Sequence, residues 1–281
     1  MASVAAAATS ASASSDALCN KRLEGKVAII TGGASGIGAS AIHKFHENGA
    51  IVVLADIRDE WGQKIAEDLG ENVTYVHCDV SKEEDIINLV DSTVAKYGKL
   101  DIMYNNAGVL DKAFGTILDS TRADLDKCLN VNLVGGFLGA KHAARVMAPR
   151  KSGCILFTSS ACTHVGGLAT SAYAVSKYGI MGLTKNLSSE LGMHGIRVNC
   201  ISPYVVVTNI LPSDGWAVKE DEVSALGNLK GHVLKPEGIA MAAVYLASDE
   251  ASYVSGLDLV VDGGYSVVNP TMIHLMERMR L

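Results

Sequence analysis

The sequence predicts one α/β domain with a parallel, doubly wound sheet, and three observations carry that prediction. From Lys26 onward, short apolar runs rich in β-branched residues alternate with amphipathic stretches of helical period. Runs that are apolar on both faces are strands covered on both faces, as in a parallel sheet sandwiched between helices. The strand–helix alternation requires right-handed crossovers that lay helices on the two sides of one sheet. A length of 281 residues suits one large domain, and no internal repeat marks a second.

Taken in order, residues 1–21 are Ala/Ser-rich with one acid, Asp16. Such a stretch builds no core and is expected to be a disordered tail ahead of a domain over 22–281. Its Ser content also fits an organelle transit peptide, a plastid one included. The stretch is short and no Arg precedes Arg22, which favours a cytoplasmic protein. The strands read as Val27–Thr31, Ile51–Asp56, Val73–Cys78, Leu100–Asn105, Cys154–Ser159, Ile196–Ser202 and Leu257–Asp262. Ser81-Lys82-Glu83-Glu84 has the spacing of a capping box ahead of a helix over Asp85–Tyr97. Thr121–Met147 and Ala174–Leu191 have the length and period of long helices. The rhythm breaks over Asn209–His232, where Pro212, Gly215, Gly227 and Gly231 mix with polar residues. In an enzyme this is a mobile lid; otherwise it is a surface insertion without a role. The final stretch from Met272 to Leu281 is rich in Met and Leu and either packs on a neighbouring subunit or frays.

Composition narrows the function classes. At 48% hydrophobic and 19% charged this is an ordinary globular chain. A net charge of −6 without a basic block argues against a nucleic-acid partner. No apolar run nears the ~18–20 residues that span a bilayer. The six cysteines, Cys19, Cys78, Cys128, Cys154, Cys162 and Cys200, are scattered and form no C-x-x-C pair. Most lie in strand-like runs, where a thiol behaves as a small core residue, so neither a disulfide nor a metal site is expected.

Val27–Thr31 runs straight into Gly32-Gly33-Ala34-Ser35-Gly36-Ile37-Gly38, followed by a helix pattern. Glycines there allow a sharp turn and a close approach of a pyrophosphate, which the helix N-terminus favours with unpaired amides. A plain tight βα turn is the alternative. Asp56 ends the second strand about 20 residues on, where a carboxylate accepts hydrogen bonds from adenosine ribose hydroxyls. A 2′-phosphate at ~4 Å would be repelled by roughly 4 kcal/mol at an effective dielectric near 20. That favours NAD over NADP, with Arg58 nearby as the one offsetting charge. Alternatively Asp56 caps the next helix.

Tyr173-Ala174-Val175-Ser176-Lys177 puts a phenol and an ammonium on one helix face. The ammonium is expected to lower the phenol's pKa, fitting it to exchange a proton with a carbinol oxygen while hydride moves. Ser159-Ser160 ends the strand before this helix, where a hydroxyl either orients a substrate oxygen or caps the next turn. Asn105-Asn106-Ala107-Gly108 makes a polar turn beside the crevice. Asn132, inside an apolar helix pattern, is unfavourable unless hydrogen-bonded and reads either as a site residue or as a satisfied core amide.

Thr31-Gly32, Gly36, Gly38, Asp79, Asn105 to Gly108, Asn132, Ser160, Tyr173, Lys177 and Pro203 to Thr208 together resemble the short-chain dehydrogenase/reductase family in its shorter, soluble form, over about residues 22–265. The resemblance implies a Rossmann-like domain with a seven-stranded parallel sheet, assembled as a homotetramer. It implies a catalytic tetrad of Asn132, Ser160, Tyr173 and Lys177. Tyr173 is then the acid–base, Lys177 lowers its pKa and holds the ribose, Ser160 orients the carbonyl, and Asn132 holds a water on the proton path. Ser160 rather than Ser159 has the family's spacing to Tyr173. NAD would be held by Gly32, Ser35, Gly36, Ile37, Gly38, Asp56 and Ile57, with Asp79 and Val80 about the adenine. Asn106, Ala107 and Gly108 would line it, with Tyr173, Lys177, Pro203, Val206 and Thr208 at the nicotinamide end.

The family usually has Pro-Gly where this chain has Pro203-Tyr204. That departure looks like plant members that oxidise secondary alcohols, the secoisolariciresinol and borneol dehydrogenases among them. On the family plan Ser160, Thr163, Tyr173 and Tyr204 meet the substrate, with Leu110, His164, Val165 and the lid as further walls; His164 is otherwise a solvated loop residue. The expected function is NAD-dependent oxidation of a small hydrophobic secondary alcohol, a terpenoid such as borneol, to its ketone. The rival readings are an NADPH-preferring ketone reductase, a lignan dehydrogenase, and a non-catalytic nucleotide-binding scaffold, against which the intact Tyr–Lys pair speaks.

Overall fold

Strands β1 (Val27–Thr31), β2 (Ile51–Asp56), β3 (Val73–His77), β4 (Ile102–Asn105), β5 (Gly153–Thr158), β6 (Ile196–Pro203) and β7 (Asp258–Val261) form one all-parallel sheet in the order β3-β2-β1-β4-β5-β6-β7. The computed structural model describes residues 21–112, 115–208, 210, 219–268, 275–276 and 278–279. The tail over 1–20, most of the lid's first half and most of the C-terminal stretch lie outside the described residues. The seven strands fall within a residue or two of the seven apolar runs. In register, Ala28 lies between Val52 and Ile102, so β1 is central.

The period-2 alternation of strand side chains divides the core in two. Ala28, Ile30, Val52, Leu54, Tyr104 and Leu156 face one side, packed with Ile42 and Phe45 of α1 (Gly36–Glu47) and Ala243 and Val244 of α8 (Pro236–Ala247). Ile29, Val53, Met103, Ile155 and Phe157 face the other, against α3 (Glu83–Tyr97), α5 (Gly135–Met147) and α6 (Ser171–Gly192). Burying a side chain such as Phe45 or Ile42 contributes about 2 kcal/mol each. The remaining helices are α2 (Asp59–Leu69), α4 (Arg122–Cys128) and α7 (Glu220–Leu226), the last lying within the expected lid.

Two local expectations are corrected. The capping box at Ser81 does not form: the helix starts at Glu83, so Ser81 sits one position too early, and its hydroxyl donates to Asp79 Oδ1 at 2.7 Å. The acids Glu83, Glu84 and Asp85 in the first turn favour that helix end instead. Thr121–Met147 is not one regular helix either. A π-helical segment, Leu129–Val134, joins α4 to α5 and carries Asn132. Such wide turns leave backbone groups out of the regular ladder and re-aim side chains.

Candidate active site

The strand order reverses between β1 and β4, and the crevice outside their C-terminal ends is where an open α/β sheet places a ligand. Thr31 ties this crevice together: its Oγ1 accepts the amides of Asn106 and Ala107, both at 3.1 Å, while Asn106 Nδ2 donates to Thr31 O at 3.0 Å. The glycine loop packs onto these turns without side chains. Gly32 has φ +67°, and a Cβ there would lie 2.8 Å from Ala107 Cα. A Cβ on Gly38 would stand 1.9 Å from Gly32 O, and one on Gly36 would press on Thr208 at 3.1 Å. Ser35 occupies the N-cap of α1 but makes no capping bond. The first-turn amides of Gly36, Ile37 and Gly38 thus lack a partner from the helix or its cap, a donor set that fits a pyrophosphate.

Asp56 is buried at the end of β2, with Oδ2 accepting from Ala34 N at 3.0 Å and Oδ1 from Arg58 N at 3.0 Å. The Arg58 guanidinium reaches back to both carboxylate oxygens, donates to Ser35 Oγ at 2.7 Å, and lies 5.2 Å from the Trp61 ring centroid. The expected offsetting cation is therefore already engaged by Asp56 and the glycine loop. Ile57 beside it is exposed. Asp79 is half-buried and its carboxyl lies below the usual range, chiefly through the Ser81 hydroxyl, while Val80 is buried against Gly135.

Tyr173 lies in the first turn of α6, whose N-cap Thr170 accepts the Tyr173 amide at 3.4 Å. Its phenol lies close enough to Ser160 to feel that hydroxyl, whose Oγ accepts the Cys162 amide at 3.3 Å, and Lys177 Nζ stands 5.5 Å from the phenol ring centroid. Lys177 is buried and donates to Thr158 O at 2.8 Å. Asn132 Oδ1 accepts from Val109 N at 2.8 Å, and its Nδ2 donates to Val109 O and Ser176 Oγ, both at 3.0 Å. Gly108 closes the group: a Cβ there would sit 3.3 Å from Asn132 Oδ1 and 3.5 Å from Lys177 Nζ. Ser159, by contrast, is fully buried with its hydroxyl turned toward Lys177 O.

The electrostatics differ from expectation in one respect. Burial pushes the Tyr173 phenol above its ordinary range rather than below it, with the neighbouring Ser160 hydroxyl pulling the other way. Burial also draws Lys177 down to about 8, which leaves it mostly charged at neutral pH. Desolvation dominates both groups.

Of the expected substrate residues, Thr163 is buried and donates to Ser160 O at 2.7 Å. Tyr204 is half-buried, its ring 4.7 Å from that of Tyr265 in the turn after β7. His164 Nε2 pairs with Asp258 Oδ2 at 2.7 Å. Pro203 ends β6, Val206 is buried in the core, and Thr208 meets the glycine loop. Sequence reasoning named Thr31 within the family motif without a role for its hydroxyl, and it missed Thr158, Thr170 and Ser176. Only Thr170 carried a readable signal, a Thr just before a helix pattern. Asn209 and residues 211–218 of the lid lie outside the described residues.

A family model described as enoyl-(acyl carrier protein) reductase matches residues 32–266. The chain is 63% identical to a (21S)-21-acetoxyl-apo-melianone synthase SDR of Melia azedarach over 92% of this chain and 96% of that one. It is 57% identical to (+)-borneol dehydrogenase 1 of Salvia officinalis, over 91% and 99%. The crystal structure of a 3-ketoacyl-(acyl-carrier-protein) reductase of Brucella melitensis complexed with NADH superposes with a TM-score of 0.82 at 30% identity, covering 87% of this chain and 100% of that one. The chain belongs to the short-chain dehydrogenase/reductase family of nicotinamide-dinucleotide-dependent oxidoreductases.

Proposed function

We propose that this protein oxidises a small hydrophobic secondary alcohol, a terpenoid of the borneol kind, to its ketone with NAD. The observation that carries the reading is the phenol of Tyr173 standing beside the Ser160 hydroxyl, with Lys177 one helical turn on and its Nζ 5.5 Å from the phenol ring centroid. Ser160 holds the carbinol oxygen beside the phenol, and Tyr173 takes its proton. Lys177 favours the phenolate by charge, and Asn132 keeps the turn at Val109 fixed beside them. NAD bound along the crevice supplies the hydride acceptor. The glycine-loop amides suit its pyrophosphate, and Asp56 suits ribose hydroxyls. The choice of NAD rests on Asp56, whose charge Arg58 already shares with Ser35. The terpenoid substrate rests on likeness to (+)-borneol dehydrogenase 1 and on the aromatic Tyr204–Tyr265 pair beside the β6 end.

The test is Tyr173→Phe assayed by NADH formation from (+)-borneol. Turnover falls by a factor of about 10² to 10⁴, the usual size of a general acid–base contribution, while NAD binding persists. Near-full turnover in that variant overturns the assignment. We further infer that the chain assembles with copies of itself through the α5–α6 face. Val134, Phe137, Val175 and Tyr178 there are about half exposed, and Leu133, Gly179 and Leu183 line a shallow groove between them. A homotetramer in the cytoplasm is the state we propose. No described helix is long and apolar enough to cross a membrane.

A further inference from the structure

Asp111 stands on the turn leaving β4 and has no part in the chemistry above. Its Oδ1 accepts from Thr170 Oγ1 at 2.5 Å and lies 3.8 Å from the Cys128 thiol. Its Oδ2 is buried and, among the described residues, has no hydrogen-bond partner. Asp111 is half-buried as a residue, but a shielded carboxyl oxygen without a partner is disfavoured unless the rest of the group is held, and the interaction that holds it here is with the N-cap of the Tyr173 helix. A hydroxyl has one proton and two lone pairs. Thr170 gives its proton to Asp111 and offers a lone pair to the Tyr173 amide, so the carboxylate fixes the direction of the cap. A bond to an ionised acceptor is short and strong, and it polarises the hydroxyl. The other side of the same turn is clamped by Asn132 through both backbone groups of Val109, and the Cys128 thiol lies 3.9 Å from Val109 O.

We propose that Asp111, acting through Thr170, is a positioning residue for Tyr173: it locks the first turn of α6 to the β4 turn and so sets where the phenol stands against Ser160. The proposal rests on the reading of Tyr173 as the acid–base residue. It explains why the cap is a Thr with its hydroxyl turned to an acid, when a cap alone needs no partner of its own.

The experiment compares the full chain with Thr170→Val, Thr170→Ser, Asp111→Ala, the Asp111→Ala/Thr170→Val double variant and Tyr173→Phe, using (+)-borneol and NAD. Thr170→Val and Asp111→Ala each lower kcat about ten- to a hundredfold, as small misplacements of a reacting group do, while KM for NAD changes less than about twofold. In both, the acid limb of the pH profile for oxidation moves to higher pH. Thr170→Ser, which keeps the hydroxyl, restores kcat and the profile. The double variant is no worse than the poorer single one, because both break one link. Lowered melting temperatures with unchanged kcat and pH profile overturn the proposal, as do effects that multiply in the double variant. If Asp111→Ala fails to fold, the Thr170→Val and Thr170→Ser pair decides. An active Tyr173→Phe sinks the acid–base reading itself. An inactive Tyr173→Phe beside fully active Thr170→Val and Asp111→Ala sinks only the positioning role.

Discussion

Replacing Lys177 by Met sets function against stability. Lys177 is 3% exposed, and burial draws its ammonium from 10.5 to about 8. A cation whose folded value lies below its unfolded one weakens the fold while both states hold the proton. The penalty is full below pH 8, fades between pH 8 and 10.5, and is gone above. By linkage it amounts to about 3 kcal/mol at pH 7. Met has similar length and no charge, so it removes this penalty but forfeits the charge-assisted bond to Thr158 O, worth about 2 kcal/mol at pH 7. The variant is thus expected to be more stable at pH 7 by about 1 kcal/mol, a rise in melting temperature of about 2–4 °C for a chain of this size. Near pH 10 the wild type has regained most of the difference, and the gain shrinks to about zero. Oxidation of (+)-borneol falls by orders of magnitude throughout. Urea unfolding at pH 7 and pH 10, with NADH formation on the same samples, reads both effects. A variant less stable than the wild type at pH 7, or a difference independent of pH, refutes this account of the buried ammonium.

Other expectations follow from single contacts. Gly38→Ala forces a methyl to 1.9 Å from Gly32 O, so the glycine loop must shift; NAD affinity by fluorescence titration drops more than tenfold. Asp56→Asn keeps an acceptor for Ala34 but frees the Arg58 charge, and the ratio of kcat/KM for NAD over NADP falls about a hundredfold, within the ~4 kcal/mol of like-charge repulsion it removes. Because burial holds the Tyr173 phenol protonated, alcohol oxidation accelerates as pH rises and ketone reduction slows, seen in initial rates from pH 6 to 10. Phe137→Glu, at an exposed position on α5, lowers the mass measured by light scattering toward that of one chain.

The strands were legible because a parallel sheet buries both faces, and apolar runs such as Ile51–Asp56 have no other common explanation. The glycine loop and the Tyr173–Lys177 pair were legible because each needs fixed residue types at fixed spacing. Less could be read where partners are distant in sequence. Thr31 holding Asn106 and Ala107, or Thr170 donating to Asp111, joins chain segments about 60 to 76 positions apart, and no local pattern encodes such pairs. The capping box at Ser81 misled because Asp79 competes for the same hydroxyl two residues away. The phenol's raised pKa was missed because a neighbouring cation is visible in the sequence and desolvation is not.

The guanidinium that grips Asp56 and Ser35 also lies over the Trp61 indole. If a dinucleotide engages Asp56 through its ribose, as proposed above, it competes with Arg58 for the carboxylate, and the expected outcome is a change in how the guanidinium lies against the indole. The expected consequence is an optical gauge: in a Trp216→Phe background, which leaves Trp61 as the one indole of the sequence, a change in emission on adding NAD reads occupancy of the adenosine end without turnover.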